Sequence, residues 1–501
     1  MIKKTIKIIV IIVVLFSVLI LSLNYIAAGK IEKKLTETLV KKHINYTGKV
    51  KANVLLGNIS IDDFFLEKDS IHLKINNLSV KGVSYYAYFI KDKLSIDKIV
   101  LNSSIIKGKI PKDIFNAKEK DTIHKKKRMP ITIDELEIKN SALAIINDKN
   151  YPITIDNYRL KLTKLEYSKD LKTTIPFLYE KISLKLNAFD AQGSEIQSYS
   201  IANLKLEDNF LKLDSVKITP LKPRKNYIYH VPYEKDILDL FIKKIEVPKI
   251  KLTNKKKLLF TIDKILISDG DFGVYLDATV LNHRNKRKDL YSKSLRELPI
   301  NFVIDSIKIK ETKITYEELT NKERKAGLVS FENIDAIVTN LTNVKIKDSI
   351  PTTIVKIKSD FMGTSPLSID WRFNIADVND AFTIKGKLYE VSSKNINSFI
   401  EPALNIKCEG KIDKLFFNFY GNDNFSNGDF AIAFKNLELK MLNKQKGVKK
   451  VVSWLANLFV KNSSKNKLEK VEIKNFERDQ TRSFWNFLWK NVEEGLRKSL
   501  I

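Results

Sequence analysis

The side chains best suited to chemistry in this sequence are aspartates that recur in one setting. An apolar residue, Asp, any residue, an apolar residue, any residue and an apolar residue follow one another at Ile96-Asp97-Lys98-Ile99-Val100-Leu101, and again at 133–138, 213–218, 262–267, 304–309 and 412–417. Carboxylates repeated in this way could serve as general acids and bases, or ligate calcium. Each of Asp97, Asp134, Asp214, Asp263, Asp305 and Asp413 stands alone at the head of an apolar alternation, with no glycine-rich ligand loop around it. A short polar side chain there bonds nearby backbone N–H groups, which is a structural task. His43, His72, His124, His230 and His283 never fall at the i, i+4 spacing that puts two ligands on one helix face, so no metal is expected. The single Cys408 excludes an intrachain disulfide and a cysteine cluster, and reads as a small buried apolar residue. No Walker loop, dinucleotide glycine fingerprint, nucleophile elbow or His-Glu-x-x-His helix is present. The expectation is a protein that is not an enzyme and has no cofactor.

The elements that carry these aspartates are strands. From Tyr46 onward apolar residues alternate with polar ones, as in Ile71, Leu73 and Ile75, Ile182, Leu184 and Leu186, Ile369, Trp371, Phe373 and Ile375, and Leu415, Phe417 and Phe419. The six copies at irregular spacing suggest one supersecondary unit reused along an elongated body. Ser268-Asp269-Gly270-Asp271 before Phe272, Val274 and Leu276 reads as the turn of a hairpin. Helical spacing predicts short inserted helices at 236–245 and 286–298, residues 111–130 with Lys125-Lys126-Lys127-Arg128 read as a loop excursion, and 421–428 reads as a turn. In the last sixty residues Val448, Val451, Val452, Leu455 and Phe459 form a helical stripe, Val471 and Ile473 a strand, and Trp485, Trp489, Val492 and Leu496 a second stripe. That last helix is expected either to dock on a membrane or partner through Trp485 and Trp489, or to plug the end of the β body and bury both indoles.

Residues 8–23 are apolar except for Ser17 and Ser22, and Ile6 together with Tyr25, Ile26, Ala27 and Ala28 extends the run to roughly twenty, enough for a hydrocarbon core of about 30 Å. Ile8, Leu15, Phe16, Leu19 and Leu23 are the expected membrane-anchor residues. Lys3, Lys4 and Lys7 place the N-terminus in the cytoplasm and the rest of the chain across the membrane, while Ala27, Ala28 and Gly29 leave a cleaved export signal as the alternative. Ile31, Leu35 and Leu39 continue as an amphipathic helix. The domain plan is therefore 1–29 cytoplasmic tip and anchor, 30–45 amphipathic helix, 46–440 repetitive β domain and 441–501 helix-strand-helix cap. A formal charge of +29 over 501 residues suits anionic partners, and export argues against nucleic acid.

Half-apolar strands need somewhere to put their apolar faces. Either two sheets pack as a sandwich, or one sheet curls so that its apolar face lines a groove that acyl chains would fill. Ile369, Trp371, Phe373, Ile375, Leu415, Phe417 and Phe419 are the candidate groove lining. The anchor, the short helix, then Gly57-Asn58-Ile59-Ser60-Ile61, Ile71-His72-Leu73-Lys74-Ile75-Asn76-Asn77-Leu78, Gly82-Val83-Ser84 and Ile96 to Leu101, together with Phe476-Glu477-Arg478-Asp479 and Phe484-Trp485-Asn486-Phe487-Leu488-Trp489, resemble the AsmA-like family of envelope proteins. The resemblance implies an elongated, curled β groove in the periplasm behind a single-pass inner-membrane anchor. It further implies binding of phospholipids or other anionic envelope lipids and a part in their transport or homeostasis between envelope membranes, with other envelope proteins as possible partners. A non-enzymatic scaffold or outer-membrane biogenesis factor with a closed β body is the alternative.

Overall fold

Apolar alternation over stretches of ten to twenty residues leaves the backbone to satisfy its N–H and C=O groups laterally. The computed structural model shows that outcome: a mainly β chain whose 21 strands belong to one mixed, unclosed sheet. The structure describes residues 2–41, 43–109, 129–167, 173–175, 177–283, 285–442 and 467–500, the side chains of 2–16 and 441 excepted. The stripe at 448–459 and nearly all of the 111–130 excursion lie outside the described residues. The chain divides into two compact units, one of residues 1–193, 200–213 and 254–256, the other of 194–199, 214–253 and 257–501.

The N-terminal unit opens with a long helix, α1 (Ile2–Val40), which joins the expected anchor and amphipathic segment without a break. Strands β1 (Asn45–Asn53), β2 (Asn58–Lys68) and β3 (Ile71–Val83) follow as an antiparallel meander. A short helix, α2 (Tyr85–Ile90), leads to β4 (Leu94–Lys109), and then come β5 (Ile131–Ile146), β6 (Pro152–Tyr167), β7 (Phe177–Leu178) and β8 (Lys181–Gln192). β3 and β4 are antiparallel, β4 and β5 parallel, and β6 is antiparallel to both β5 and β8. Strands β9 (Gln197–Glu207), β10 (Phe210–Pro220), β11 (Ile237–Val247) and β12 (Ile250–Asn254) come next.

The C-terminal unit continues with β13 (Leu258–Asp277), a helical turn α3 (Tyr291–Arg296), β14 (Asn301–Leu319), β15 (Gly327–Thr342), β16 (Thr353–Phe361), β17 (Ser365–Phe373) and β18 (Phe382–Ser392). Helix α4 (Ser393–Leu404), β19 (Ile406–Gly421), β20 (Phe425–Met441), β21 (Glu469–Glu477) and a last helix, here α5 (Phe484–Leu500), complete it. β13 and β14 are parallel, and β14 to β21 pair antiparallel in chain order.

The repeated motif finds its explanation in these pairings. Copies 96–101 and 133–138 stand side by side in register on β4 and β5, and copies 262–267 and 304–309 do the same on β13 and β14. Both pairs are parallel. Seven residues after the first apolar position of each of these four copies the backbone enters the left-handed region, at Ser103 (φ 54°), Asn140 (φ 48°), Asp269 (φ 56°) and Glu311 (φ 50°). Such a residue makes a bulge without ending the strand. Asp269-Gly270 is therefore a bulge inside the continuous β13, not the hairpin turn expected from its composition. Residues 236–245, expected as a helix, are β11: Ile237, Leu240 and Ile242 stand opposite Tyr275, Phe272 and Gly270 of β13, and the ladder overrides a local helical spacing. The helix expected at 286–298 is realised as the single turn α3, and the turn at 421–428 as the tight connection between β19 and β20.

Candidate functional site

Register decides which side chains share a face. Across β2, β3, β4, β5, β6 and β8, Ile59, Val80, Ile99, Leu136, Leu162 and Ile182 stand in one row, and Ile61, Leu78, Leu101, Ile138, Leu160 and Leu184 in the next row on the same face. Six strands at a spacing of about 4.8 Å make these rows roughly 24 Å long. Of the residues between them, which point the other way, Glu137 and Lys161 are charged, and Lys98, Glu135 and Lys139 share their face. Lys98 bridges Glu135 and, at 3.0 Å, Glu137, while Lys161 reaches Glu135 at 2.8 Å and Lys139 reaches Glu137 at 3.2 Å. Hydrogen bonds from Lys161 and Lys98 hold the Glu135 carboxyl below the usual carboxylate range. The sheet of the N-terminal unit thus has one aliphatic and one ionic face.

Among the described residues, cover over the aliphatic face is confined to its margins. Leu35 of α1 packs on the cluster of Ile61, Phe64 and Ile75, and Phe177 and Tyr179 pack on the cluster of Ile96, Ile133, Leu162 and Leu165. Between them Ile99, Leu101, Leu136, Ile138, Leu160 and Leu184 keep partial exposure. Among the described residues the helices of this unit lie elsewhere, α1 along β1 and α2 beside the start of β4.

The C-terminal unit treats its aliphatic face differently. Trp371, Phe373, Ile375, Leu415, Phe417 and Phe419 all come together in one core, each less than a tenth exposed, with Ile369 packed against it. What fills the space over them is protein. The Phe484 ring of α5 stacks on Trp371 at 4.8 Å and meets Phe382 edge-on at 5.2 Å, and Phe487 and Leu500 are buried beside it. Gly495 makes the approach possible, because a Cβ there would lie 2.3 Å from Cγ of Phe430. Asn491, buried on the same helix face, accepts from the Ser426 hydroxyl at 2.7 Å and donates to the Phe487 carbonyl at 2.9 Å. The seven sequence-derived lining residues therefore share one face, but it is a helix-filled core and offers no trough.

Trp485 and Trp489 are 48% and 41% exposed, so α5 plugs this core with its phenylalanines and leaves both indoles at its rim. The Trp485 indole N–H donates to the Tyr291 hydroxyl at 2.9 Å, and Trp489 meets Phe399 edge-on at 6.1 Å. Ahead of α5, Arg478 is fully buried: it pairs with Asp423, which Arg287 also meets, and donates to the Lys288 carbonyl at 2.5 Å. Burial, then the adjacent Arg287, lower its pKa from the arginine norm.

No described group of three or more His, Cys, Asp or Glu side chains is placed to hold a metal ion. The repeat aspartates are dispersed along the strands, with Asp263 paired to Lys249 at 3.2 Å and Asp413 to Lys411 at 3.0 Å. A cleft of about 800 Å³ beside α4 is lined by Arg324, Lys325, Lys394, Lys407, Glu401 and Glu409, and Glu409 is held below the usual carboxylate range first by its hydrogen bond to Lys440. A carboxyl so held is a poor general acid.

Of the expected anchor residues, Leu19 and Leu23 are about half exposed, and the side chains of Ile8, Leu15 and Phe16 lie outside the described residues. Among the described residues no helix is long and apolar enough to cross a membrane. The sequence reading also passed over Tyr85-Tyr86-Ala87-Tyr88-Phe89-Ile90, which is α2. Five large apolar or aromatic residues in six, without alternation, are a signal for an exposed amphiphilic surface, and all five side chains are exposed here. No protein-family model matches the sequence, and no match is found among curated proteins.

Proposed function

We propose that this chain is an AsmA-like envelope protein that binds the acyl chains of phospholipids along the aliphatic face of its N-terminal unit and helps their transport or homeostasis between envelope membranes. In this reading α1 anchors it in the inner membrane with its N-terminus in the cytoplasm and its body in the periplasm. The observation that carries the reading is the pair of aliphatic rows from Ile59 to Ile182 and from Ile61 to Leu184, partly exposed at their centre and backed by a face of ion pairs. An apolar surface of that kind in water demands an apolar occupant. An extended chain laid across it gains up to about 0.8 kcal/mol per methylene, and roughly half of that where one side faces the sheet. The left-handed residues Asp63, Ser103 and Asn140 fall in one line across β2, β4 and β5. Aligned bulges bend a sheet, which supports a curled trough at these strands.

The experiment is lipid extraction with native mass spectrometry on the full chain, taken from membranes in mild detergent. The reading predicts phospholipid in roughly stoichiometric amount. A lipid-free, monodisperse protein would replace it with the scaffold reading, which the helix-filled core of the C-terminal unit favours.

A further inference from the structure

The end of the N-terminal sheet at which α1 emerges carries a cluster of apolar side chains with no task in the fold. The turn at residues 54–57 joins β1 to β2, and α2 joins β3 to β4, so both connections lie at the same end of the strands. They are bound to each other and to α1. The Asn24 side-chain carbonyl accepts from the Val54 N–H at 2.7 Å, the Tyr85 hydroxyl donates to the Val54 carbonyl at 2.7 Å, and the Val83 N–H donates to the Gly57 carbonyl at 3.0 Å. Gly57, at φ 60°, has the Val83 carbonyl 2.5 Å from where a Cβ would stand, so this turn is built for close packing. Yet Leu55, Leu56, Tyr86, Phe89 and Ile90 are all more than 60% exposed. Within α2 Ala87 alone is buried, and the Ser84 hydroxyl caps the helix by accepting from the Ala87 N–H.

The position of Asn24 gives the cluster its meaning. It stands between residues 8–23 and the extension Tyr25 to Ala28, so Leu55, Leu56 and the aromatic residues of α2 lie level with the last turns of the apolar run. Tyrosines at that level present an apolar ring and a polar tip, as side chains at a bilayer interface do. Lysines flank this level: Lys91, whose ammonium stands 5.3 Å above the Tyr86 ring, and Lys93 beside it, with Lys30 and Lys33 about 9 and 14 Å further along α1. They suit lipid phosphates.

We infer that the turn 54–57 and α2 form an aromatic foot that inserts at the headgroup level of the bilayer entered by α1, seating the near end of the aliphatic sheet face on the membrane. The inference rests on the anchor reading of α1. It adds a second, interfacial contact and an orientation, since β4 then rises from the membrane at Leu94 and the β5–β6 turn lies at the far end of strands roughly 50 Å long.

The test uses the full chain in liposomes of phosphatidylethanolamine and phosphatidylglycerol. Single Phe89→Cys, Ile26→Cys and Lys149→Cys variants carry an environment-sensitive fluorophore, and Cys408, 2% exposed, does not compete for it. The expected result is that the label at position 89 shifts to the blue and loses fluorescence to nitroxide lipids labelled near the headgroup, with less loss to deep nitroxides, while position 149 in the β5–β6 turn responds to neither. Quenching at 26 but not at 89 overturns the foot and leaves the anchor standing, and quenching at none of the three overturns both. A label at 89 that is unquenched by lipid yet shielded from aqueous iodide overturns the foot in favour of a protein partner. Phe89 and Ile90 are exposed, so a Phe89→Asp/Ile90→Asp variant keeps its fold and is expected to lose iodide protection at a second label placed at Leu55.

Discussion

Leu136→Asp tests the lipid face at its centre. Leu136 stands between Ile99 and Leu162 in the first aliphatic row and is partly exposed, so an acyl chain lying over it would cover at most about a third of its side chain. Full burial of a leucine side chain contributes about 1.5–3 kcal/mol, so losing a third of that contact costs about 0.5–1 kcal/mol. The carboxylate adds more, because a chain that covered it would have to strip its water without offering a hydrogen bond, at a cost of several kcal/mol. The sum is at least about 2 kcal/mol, which corresponds to about a thirtyfold weaker hold on lipid or more. Leu136→Ala should lose only the contact, about two- to fivefold. The assay is phospholipid per protein after purification, with the melting temperature as a check on folding. Glu137→Gln, one residue along on the ionic face, should keep its lipid. Unchanged lipid in Leu136→Asp, in a protein that melts as the wild type does, would refute the assignment of acyl chains to this face.

The core of the C-terminal unit should answer to volume and not to lipid. Phe484→Ala is expected to destabilise by about 3–5 kcal/mol, and Gly495→Leu to dislodge α5 through the Phe430 ring, both read as a lower unfolding midpoint. Phe417→Asp should unfold this unit outright, where a groove-lining position would tolerate it. Arg478→Met leaves the Asp423 carboxylate with Arg287 alone and is expected to cost ~2–3 kcal/mol, measured by denaturant unfolding. Cys408 is buried with its thiol pKa pushed up to about 12, so a thiol reagent at pH 8 should label it only after unfolding. Because Lys161 and Lys98 lower the folded-state pKa of Glu135, its pairs stabilise above the usual carboxylate range and cease to do so as pH falls through that lowered value. Glu135→Gln should therefore lower the melting temperature slightly at pH 7 and by less at pH 3.

Strand content was legible because period-two alternation survives any tertiary arrangement, and the repeat around Asp97 and Asp134 marked strands that do pair in register. Asp269-Gly270 misled because turn residues and bulge residues are the same residues, both chosen for a left-handed backbone. Residues 236–245 misled because β11 is held by its ladder with β13, which no local window contains. The last helix was legible as a helix but not in its facing. Tryptophans dominate any hydrophobic reading of Trp485 and Trp489, yet the buried face runs through Phe484, Phe487, Asn491 and Gly495. Asparagine and glycine become core residues only once Ser426 and Phe430 are in place to receive them. The same limit applied to the candidate lining. Alternation placed Trp371 and Phe417 on one face of the sheet, and only the distant α5 decides that this face is filled.

The most direct measurement is photocrosslinking in cells with benzoylphenylalanine at Leu136, Glu137 and Phe417, followed by mass spectrometry of the irradiated protein. Phospholipid adducts at 136 and none at 137 or 417 are the predicted result. Adducts at none of the three, or at 137 as readily as at 136, would contradict a lipid-binding face on the N-terminal sheet.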